Sequence, residues 1–404
     1  MTSRVILFGA TGYTGTLTAA ALARNGTPRV VLAGRNSQRL RTLAATLEEA
    51  HDWTCDIAEA DASDYAEVAD LIGSADDVLV STVGPFTRYG KPAIEAATSA
   101  GAIYLDSTGE PPFIRRVFEH YGPRAKRTGA TLLTAFGYDY MPGNLAGALA
   151  LRQAADSGFV PTRVDVGYFV PTTGNAKRSV SSGTVASTLA ILSEPGFAWR
   201  EGAIHTERPG ASVRSFVVDG RELDGLSLGG TEHYTLPAID PRLREVNVYL
   251  GWAGSRTRTV SQVGAVLEPL TKVPVLPKLA SSMASRIAPT ASGGPSAADR
   301  SAGSTLAIAE AFAGDRLVAR VRVGGPSPYD LTAELLAWAA AGAQAGAVVT
   351  STDGTGERRA EAAVDGKPRR DRRARVSGAL GPAQAFGEAE FVAGCASVGL
   401  VELD

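Results

Sequence analysis

The run Gly9-Ala10-Thr11-Gly12-Tyr13-Thr14-Gly15 directly follows the apolar segment Val5–Phe8 and opens the amphipathic stretch Leu17–Arg24. Three glycines between a first strand and a first helix restrict this chain more than any other feature. Gly9 permits the tight turn, Gly12 lets the backbone approach a ligand, and Gly15 lets the helix lie close on the sheet. The amides of Tyr13 and Thr14 then sit at a helix amino terminus, where unpaired N–H groups and the helix dipole favour an anion. The spacing is G-x-x-G-x-x-G rather than the commoner G-x-G-x-x-G. A glycine triplet alone says little; in this strand-to-helix position, Gly9, Thr11, Gly12, Tyr13, Thr14 and Gly15 are candidates for holding a pyrophosphate.

The pattern around the loop gives the fold class. Val5–Phe8, Val30–Ala33, Trp53–Ala60, Asp77–Val83, Ile103–Leu105 and Thr131–Phe136 read as strands. Between them lie helical stretches at Leu17–Arg24, Gln38–Ala50, Tyr65–Ile72, Lys91–Ala100 and Ile114–Arg127. Six strands alternating with helices predict an α/β, doubly wound parallel sheet of the Rossmann type. After Gly143-Asn144 the rhythm changes. Leu145–Ala155 reads as a helix, and Arg163–Phe169, Arg214–Val218, Thr231–Thr235, Glu245–Tyr249 and Arg316–Val323 read as strands of a mixed or antiparallel sheet. Helices are predicted at Gly183–Ser193 and within Val260–Ile287, a mobile loop at Ala288–Ser304, and a helix at Leu331–Gln344. The division is thus 1–145 for a dinucleotide domain, 146–330 for a substrate domain of α+β type, and 331–404 for a carboxyl-terminal segment; 404 residues at about 150 per domain accommodate it.

Ligands of such sheets bind beyond the carboxyl ends of the strands. The second strand ends Leu32-Ala33-Gly34-Arg35-Asn36, and no acid occurs from Gly26 through Gln38. An acid there would meet a free ribose 2′-hydroxyl; small residues followed by Arg35 and Asn36 suit a 2′-phosphate instead, so NADP(H) is favoured over NAD(H). Asp61, after the third strand, is placed to reach the adenine. Val83, Gly84 and Pro85 end the fourth strand where the nicotinamide ribose would pass. Tyr89 follows in the same loop and Thr108 ends the fifth strand; both are substrate candidates. The sixth strand runs into Gly137-Tyr138-Asp139-Tyr140-Met141-Pro142-Gly143, and Tyr138, Asp139 and Tyr140 are candidates for proton delivery or substrate orientation, or else for a structural role at the inter-domain hinge. Ser182 and Gly183, in Ser179–Thr184, either cap a helix or also hold a substrate carboxylate or phosphate.

Other devices are missing. No Tyr is followed four residues later by Lys, and Cys55 and Cys395 lie outside the strand-end loops. His51, His120, His205 and His233 have no metal-ligand spacing, so no metal site is expected. A chain without a strong oxyanion device suits an acceptor already activated: an alkene conjugated to a thioester, or a protonated imine. Val260–Ile287 reads as core or as a lid over a lipid-like substrate. A net charge of −2 argues against nucleic acid, and the basic residues of Ser351–Arg375 lack interleaved aromatics and read as a solvated loop. Leu331–Val349 carries Glu334 and Gln344 and reads as a packed helix, not a membrane span. Two cysteines and no leader-like segment indicate a cytoplasmic protein. The segments near Thr231–Tyr249 offer strand pairing across a two-fold axis, as in a homodimer.

The glycine loop together with Ala33-Gly34-Arg35-Asn36, Ser81-Thr82-Val83-Gly84-Pro85-Phe86, Tyr104-Leu105-Asp106-Ser107-Thr108-Gly109-Glu110 and Gly137–Gly143 resembles the saccharopine dehydrogenase-like oxidoreductases, most of all the bacterial branch of trans-acting enoyl reductases. The resemblance covers the first 145 residues well and continues loosely through Ser182-Gly183-Thr184, Tyr329-Asp330-Leu331-Thr332 and Gly381–Gly387. It implies a Rossmann domain, an inserted α+β domain on a mixed sheet, a carboxyl-terminal segment returning to the first domain, and a nicotinamide cofactor. It also implies either reduction of an enoyl group made by a separate synthase, so that the substrate is lipid-like or carrier-bound, or amine–imine chemistry. A protein that binds NADP and signals by domain closure without turnover is the reading from outside enzymology.

Overall fold

The computed structural model describes residues 3–171, 195–251, 257–259, 261–262, 294–348 and 375–404. Ser182, Gly183, the helix expected at Gly183–Ser193, nearly all of Val260–Ile287 and residues 351–374 lie outside the described residues.

The first half alternates strands β1 (Val5–Phe8), β2 (Val30–Gly34), β3 (Asp56–Glu59), β4 (Val78–Ser81), β5 (Ile103–Asp106) and β6 (Thr131–Leu133) with helices α1 (Tyr13–Arg24), α2 (Ser37–His51), α3 (Tyr65–Asp70), α4 (Phe86–Ala100), α5 (Pro111–Arg116) and α6 (Gly122–Thr128), the last two joined by a π-turn. Helix α7 (Met141–Asp156) leads to β7 (Arg163–Phe169), β8 (Gly196–Arg200), β9 (Ala203–Glu207), β10 (Val213–Val218), β11 (Arg221–Ser227), α8 (Glu232–Ile239) and β12 (Glu245–Leu250). Then come α9 (Ala297–Ser301), β13 (Thr305–Ala313), β14 (Arg316–Gly325), α10 (Pro328–Ala345), β15 (Gly378–Ala379), α11 (Pro382–Phe386), α12 (Glu388–Ser397) and β16 (Val401–Leu403).

The first sheet is all parallel, in the order β15-β6-β5-β4-β1-β2-β3. Its inner strands are buried at every position and mostly apolar because both faces are covered. Val5 and Leu7 pack with Leu22 of α1 and Leu335 of α10, while Ile6 and Phe8 face the other way, toward Val68, Ile94 and Val117. The reversal of strand order between β1 and β4 opens the crevice in which such sheets bind nucleotides.

The second sheet is mixed, in the order β10-β11-β12-β7-β13-β14-β16, with the β8–β9 hairpin on β12; the β12–β7 pair is parallel. Helix α7 crosses β13 and β14. The alternate residues Ala307, Ala309 and Ala311 belong to its core, and their small side chains let the helix approach. The predicted boundary at 145/146 falls inside α7, whose first turn belongs to the site and whose body lies on the second sheet. The carboxyl-terminal segment packs α10 on α1, adds β15 to the first sheet and β16 to the second.

Four expectations need correction. Thr231–Thr235 is the start of helix α8, not a strand; Asn144 holds both threonine hydroxyls, at 2.8 and 2.5 Å, and wraps that segment onto α7. β12 is an interior strand between β7 and β11, so the strand pairing imagined across a two-fold axis has no free edge there. Part of the expected loop Ala288–Ser304 is α9, with a Ser296–Asp299 capping box. Arg375, assigned to a solvated loop, instead donates to the carbonyls of Gly101, Gly129 and Ala75 and to the Thr131 hydroxyl. Gly101 and Gly129 cap α4 and α6, so this guanidinium lies at two helix carboxyl termini, where a cation is favoured.

Candidate functional site

The glycine loop has the geometry its sequence predicts. Gly9 has φ +87°, and a Cβ there would lie 2.8 Å from Val83 Cγ2, so the ends of β1 and β4 meet beneath the loop. A Cβ on Gly15 would lie 2.2 Å from the Gly9 carbonyl oxygen. Gly12 is the exposed N-cap of α1 and has no side chain with which to satisfy the first-turn amides. Without a side-chain cap those amides are available to an anion, which the helix dipole favours. Thr11 and Thr14 are half-buried beside them. The Tyr13 ring serves a second purpose: it meets Tyr329 edge-on at 4.9 Å, donates to the Pro295 carbonyl at 2.5 Å and accepts from Arg300 at 2.9 Å.

Beyond the carboxyl end of β2, Arg35 is exposed and forms no ion pair with a described residue. It lies near enough to Asp61 to help hold that carboxyl below its ordinary range, although the hydroxyl and amide of Ser63 do most of this. Asn36 caps α2, accepting from the Arg39 amide at 2.9 Å. The sequence reading missed Arg39, whose guanidinium donates to the Thr11 carbonyl at 3.1 Å and ties the glycine loop to α2. A second arginine four residues beyond Arg35 was the available signal.

The middle of the crevice is formed by the ends of β4 and β5. Gly84 and Pro85 are exposed and Val83 is half-buried. The start of α4 offers no anion site, because Glu110 fills it: its carboxylate accepts from the Phe86 amide at 2.6 Å and the Thr87 amide at 2.9 Å. Thr108, proposed to touch substrate, is buried and accepts the Glu110 amide. Tyr89 is half-buried under the Arg88 guanidinium. Asp106 is buried and accepts from the amides of Thr108 and Ala135 and from the Thr134 hydroxyl, which fixes the end of β5 against that of β6; burial pushes its pKa up to about 6.

The Tyr138–Tyr140 turn docks on α10, where the Tyr138 amide donates to the Thr332 hydroxyl at 3.0 Å. Asp139 is half-buried against the β5 loop: a Cβ on Gly109 would lie 2.7 Å from its Oδ2. Its Oδ1 is enclosed and has no hydrogen-bond partner among the described residues, and burial raises its pKa to about 7. The Tyr140 hydroxyl is likewise buried without a described partner. Behind the turn lie two residues that the sequence reading did not single out. Tyr168 of β7 approaches the Tyr140 carbonyl at 2.8 Å, the Gly143 amide at 2.9 Å and Glu232 Oε1 at 2.5 Å. Glu232 is fully buried, its Oε2 has no described partner, and burial lifts its pKa to about 8. Neighbouring His233 is held neutral by burial, which pushes its pKa down to about 4.

A parallel sheet in this order, a glycine turn at its switch point and a helix amino terminus without a side-chain cap define a dinucleotide-binding domain, here joined to a mixed-sheet domain. Residues 5–133 match the family profile described as "Saccharopine dehydrogenase NADP binding domain". This stretch, about a third of the chain, is similar to that family, whose description names NADP as the nucleotide. A trans-acting enoyl reductase of Mycobacterium ulcerans is 41% identical over 156 residues, 38% of this chain and 37% of that protein. A Mycobacterium tuberculosis protein with a trans-acting enoyl reductase name is 40% identical over 191 residues, 47% of this chain and 44% of that one. The chain therefore matches less than half the length of these relatives. Across the whole chain, the fold is that of saccharopine dehydrogenase (L-Glu forming) from Saccharomyces cerevisiae, with TM-score 0.57, 13% identity and 99% of each chain covered. Among the described residues no helix is long and apolar enough to cross a membrane.

Proposed function

We propose that this protein is a cytoplasmic NADPH-dependent reductase of a carbon–carbon double bond conjugated to a thioester, acting on a lipid-like or carrier-bound acyl group made by a separate synthase. The observation that carries the reading is Asp139. It is a half-buried carboxyl at the carboxyl edge of the first sheet, beside Gly109, and burial raises its pKa to about 7. Relatives 40% and 41% identical over 191 and 156 residues are named for enoyl reduction.

The amides at the start of α1 would hold the pyrophosphate, Gly9 and Gly15 keep the loop close enough for them to do so, and Arg35 would take the 2′-phosphate. Bound NADPH supplies hydride. The chain's own residues must supply a proton and a dry, shaped site. Burial disfavours the Asp139 carboxylate and raises its pKa to about 7, so a substantial share of the molecules carries the acid form near neutral pH, and that acid completes the reduction at the carbon next to the thioester. Tyr138 and Tyr140 flank it and fix the turn. Tyr89, which lies in the first turn of α4 and not in a loop, would orient the acyl group.

The test is oxidation of NADPH by purified protein with α,β-unsaturated thioesters and, separately, cyclic imines. Turnover of the thioesters, lost in Asp139→Asn, is expected. Turnover of imines alone overturns the substrate class. Tight NADPH binding without turnover of either would favour a nucleotide-binding regulator.

A further inference from the structure

The oxygen of Tyr168 is crowded in a way that fixes the protonation of its neighbour. A phenol has one hydrogen to give and two lone pairs to receive with. At this oxygen the Gly143 amide donates, at 2.9 Å. The Tyr140 carbonyl can only accept; it already receives the Asn144 amide at 3.2 Å and side-chain amide at 2.9 Å, and it is the oxygen-to-oxygen distance of 2.8 Å to Tyr168 that calls for the phenol hydrogen there. The third contact, Glu232 Oε1 at 2.5 Å, then needs a hydrogen that only Glu232 can provide. If Glu232 were ionised, Tyr168 would have to turn its hydrogen toward it and face the Tyr140 carbonyl oxygen to oxygen. A second observation agrees. Oε2 is buried without a described partner, wedged where a Cβ on Gly230 would lie 2.6 Å from it and 2.9 Å from the Tyr140 ring. A bare carboxylate oxygen in such a place is costly, a neutral acid much less so.

We infer that Glu232 is a positioning residue that works as a neutral carboxylic acid: through Tyr168 it locks the Tyr140–Gly143 turn, and so sets the place of Asp139 at the end of β5. The catalytic consequence rests on the reading of Asp139 given above; the protonation and the lock do not. The titratable groups facing Glu232 are Tyr168 from β7, Asp139 and Tyr140 from the turn before α7, and His233 beside it on α8. Among the described residues no arginine or lysine pairs with it, and Asp139 opposes its ionisation. The folded protein keeps this proton to about pH 8, whereas the ordinary value is 4.5. Stability therefore declines as the pH rises between those values, and the decline stops once the folded form ionises too.

The test compares Glu232→Gln, Glu232→Ala and Tyr168→Phe in the full chain. Glutamine is neutral and can donate to Tyr168 as the acid does. It should preserve the melting temperature at pH 6, remove the Glu232 share of its fall toward pH 8, and keep kcat near wild type. Alanine should lower kcat roughly tenfold, the worth of about one buried hydrogen bond, with KM little changed. In the infrared, wild type should show a protonated carboxyl stretch at pH 7 that is lost in Glu232→Gln and shifted in Tyr168→Phe. A glutamine variant as impaired as the alanine one, an unaltered pH dependence of melting, or no carboxyl band responding to Tyr168→Phe would overturn the inference. The melting and infrared measurements need no substrate, so they decide it even if the enoyl reading fails, and the Tyr168→Phe band decides it even if Glu232→Gln does not fold.

Discussion

Gly15→Ala should damage the nucleotide site even though it replaces glycine by the best helix former. In an unobstructed helix that exchange gains about 1 kcal/mol. Here the new Cβ would lie 2.2 Å from the Gly9 oxygen and 2.9 Å from Ala10 Cα, whereas ordinary contact begins at 3.4 Å. The Gly9 carbonyl must retreat by roughly 1 Å, a strain of about 1–3 kcal/mol. That carbonyl also accepts the Gly12 amide at 2.9 Å and the Thr82 hydroxyl at 3.2 Å, and each bond is worth about 1 kcal/mol. The net expectation is a loss of about 1–3 kcal/mol in stability. The helix amides move off their target, and losing one or two charge-assisted bonds to phosphate weakens NADPH binding by about 10- to 100-fold. Fluorescence titration with NADPH and urea unfolding measure the two effects. Gly342→Ala in α10 is the control: its Cβ would meet Ala347 at 3.6 Å and Phe386 at 3.8 Å, so it should stabilise by about 0.5–1 kcal/mol and leave binding alone. Gly15→Ala protein that binds NADPH as tightly as wild type and melts no lower would refute the reasoning.

Arg35→Ala should weaken NADPH about 10- to 100-fold and leave NADH unchanged; equal affinity of wild type for both nucleotides would remove its assigned role. If Asp139 gives up the proton, the wild-type rate should fall as the pH rises past about 7, where its acid form is lost. Asp139→Asn should lower kcat by about 10²- to 10⁴-fold with NADPH affinity intact, measured by stopped-flow absorbance. Arg375→Ala removes bonds to three carbonyls and a hydroxyl at the ends of α4 and α6 and should cost about 2–4 kcal/mol in urea unfolding without changing NADPH affinity.

The parallel half of the fold was readable because its signals are local. Each strand is a short apolar run, each helix has its own stripe, and the glycine turn falls between the first of each. The mixed half was harder. Thr231-Glu232-His233-Tyr234-Thr235 has the β-branched and aromatic residues of a strand, yet a hydrogen bond from Asn144, 87 residues away, holds Thr231 at the mouth of a helix. That error hid Glu232, since a glutamate on an imagined strand has no reason to lie under α7. Strand β13 reads Thr-Leu-Ala-Ile-Ala-Glu-Ala-Phe-Ala, rich in helix formers; the alternation of alanine with larger residues was the clue, and pairing with β7 and β14 decides it. Thr108 looked like a ligand because it ends a strand in the right place, two residues before Glu110. The sequence does not show that they satisfy each other's turn and the start of α4.

Strands β15 and β16 come from the same last stretch of polypeptide but are woven into different sheets, one beside β6 and the other beside β14. The tail is a seam that stitches the two halves together. A chimera that grafted a foreign middle portion onto this nucleotide module would leave its outermost ribbon without a matching border, so recombination that keeps both sheets intact must transplant the middle and the tail as one cassette.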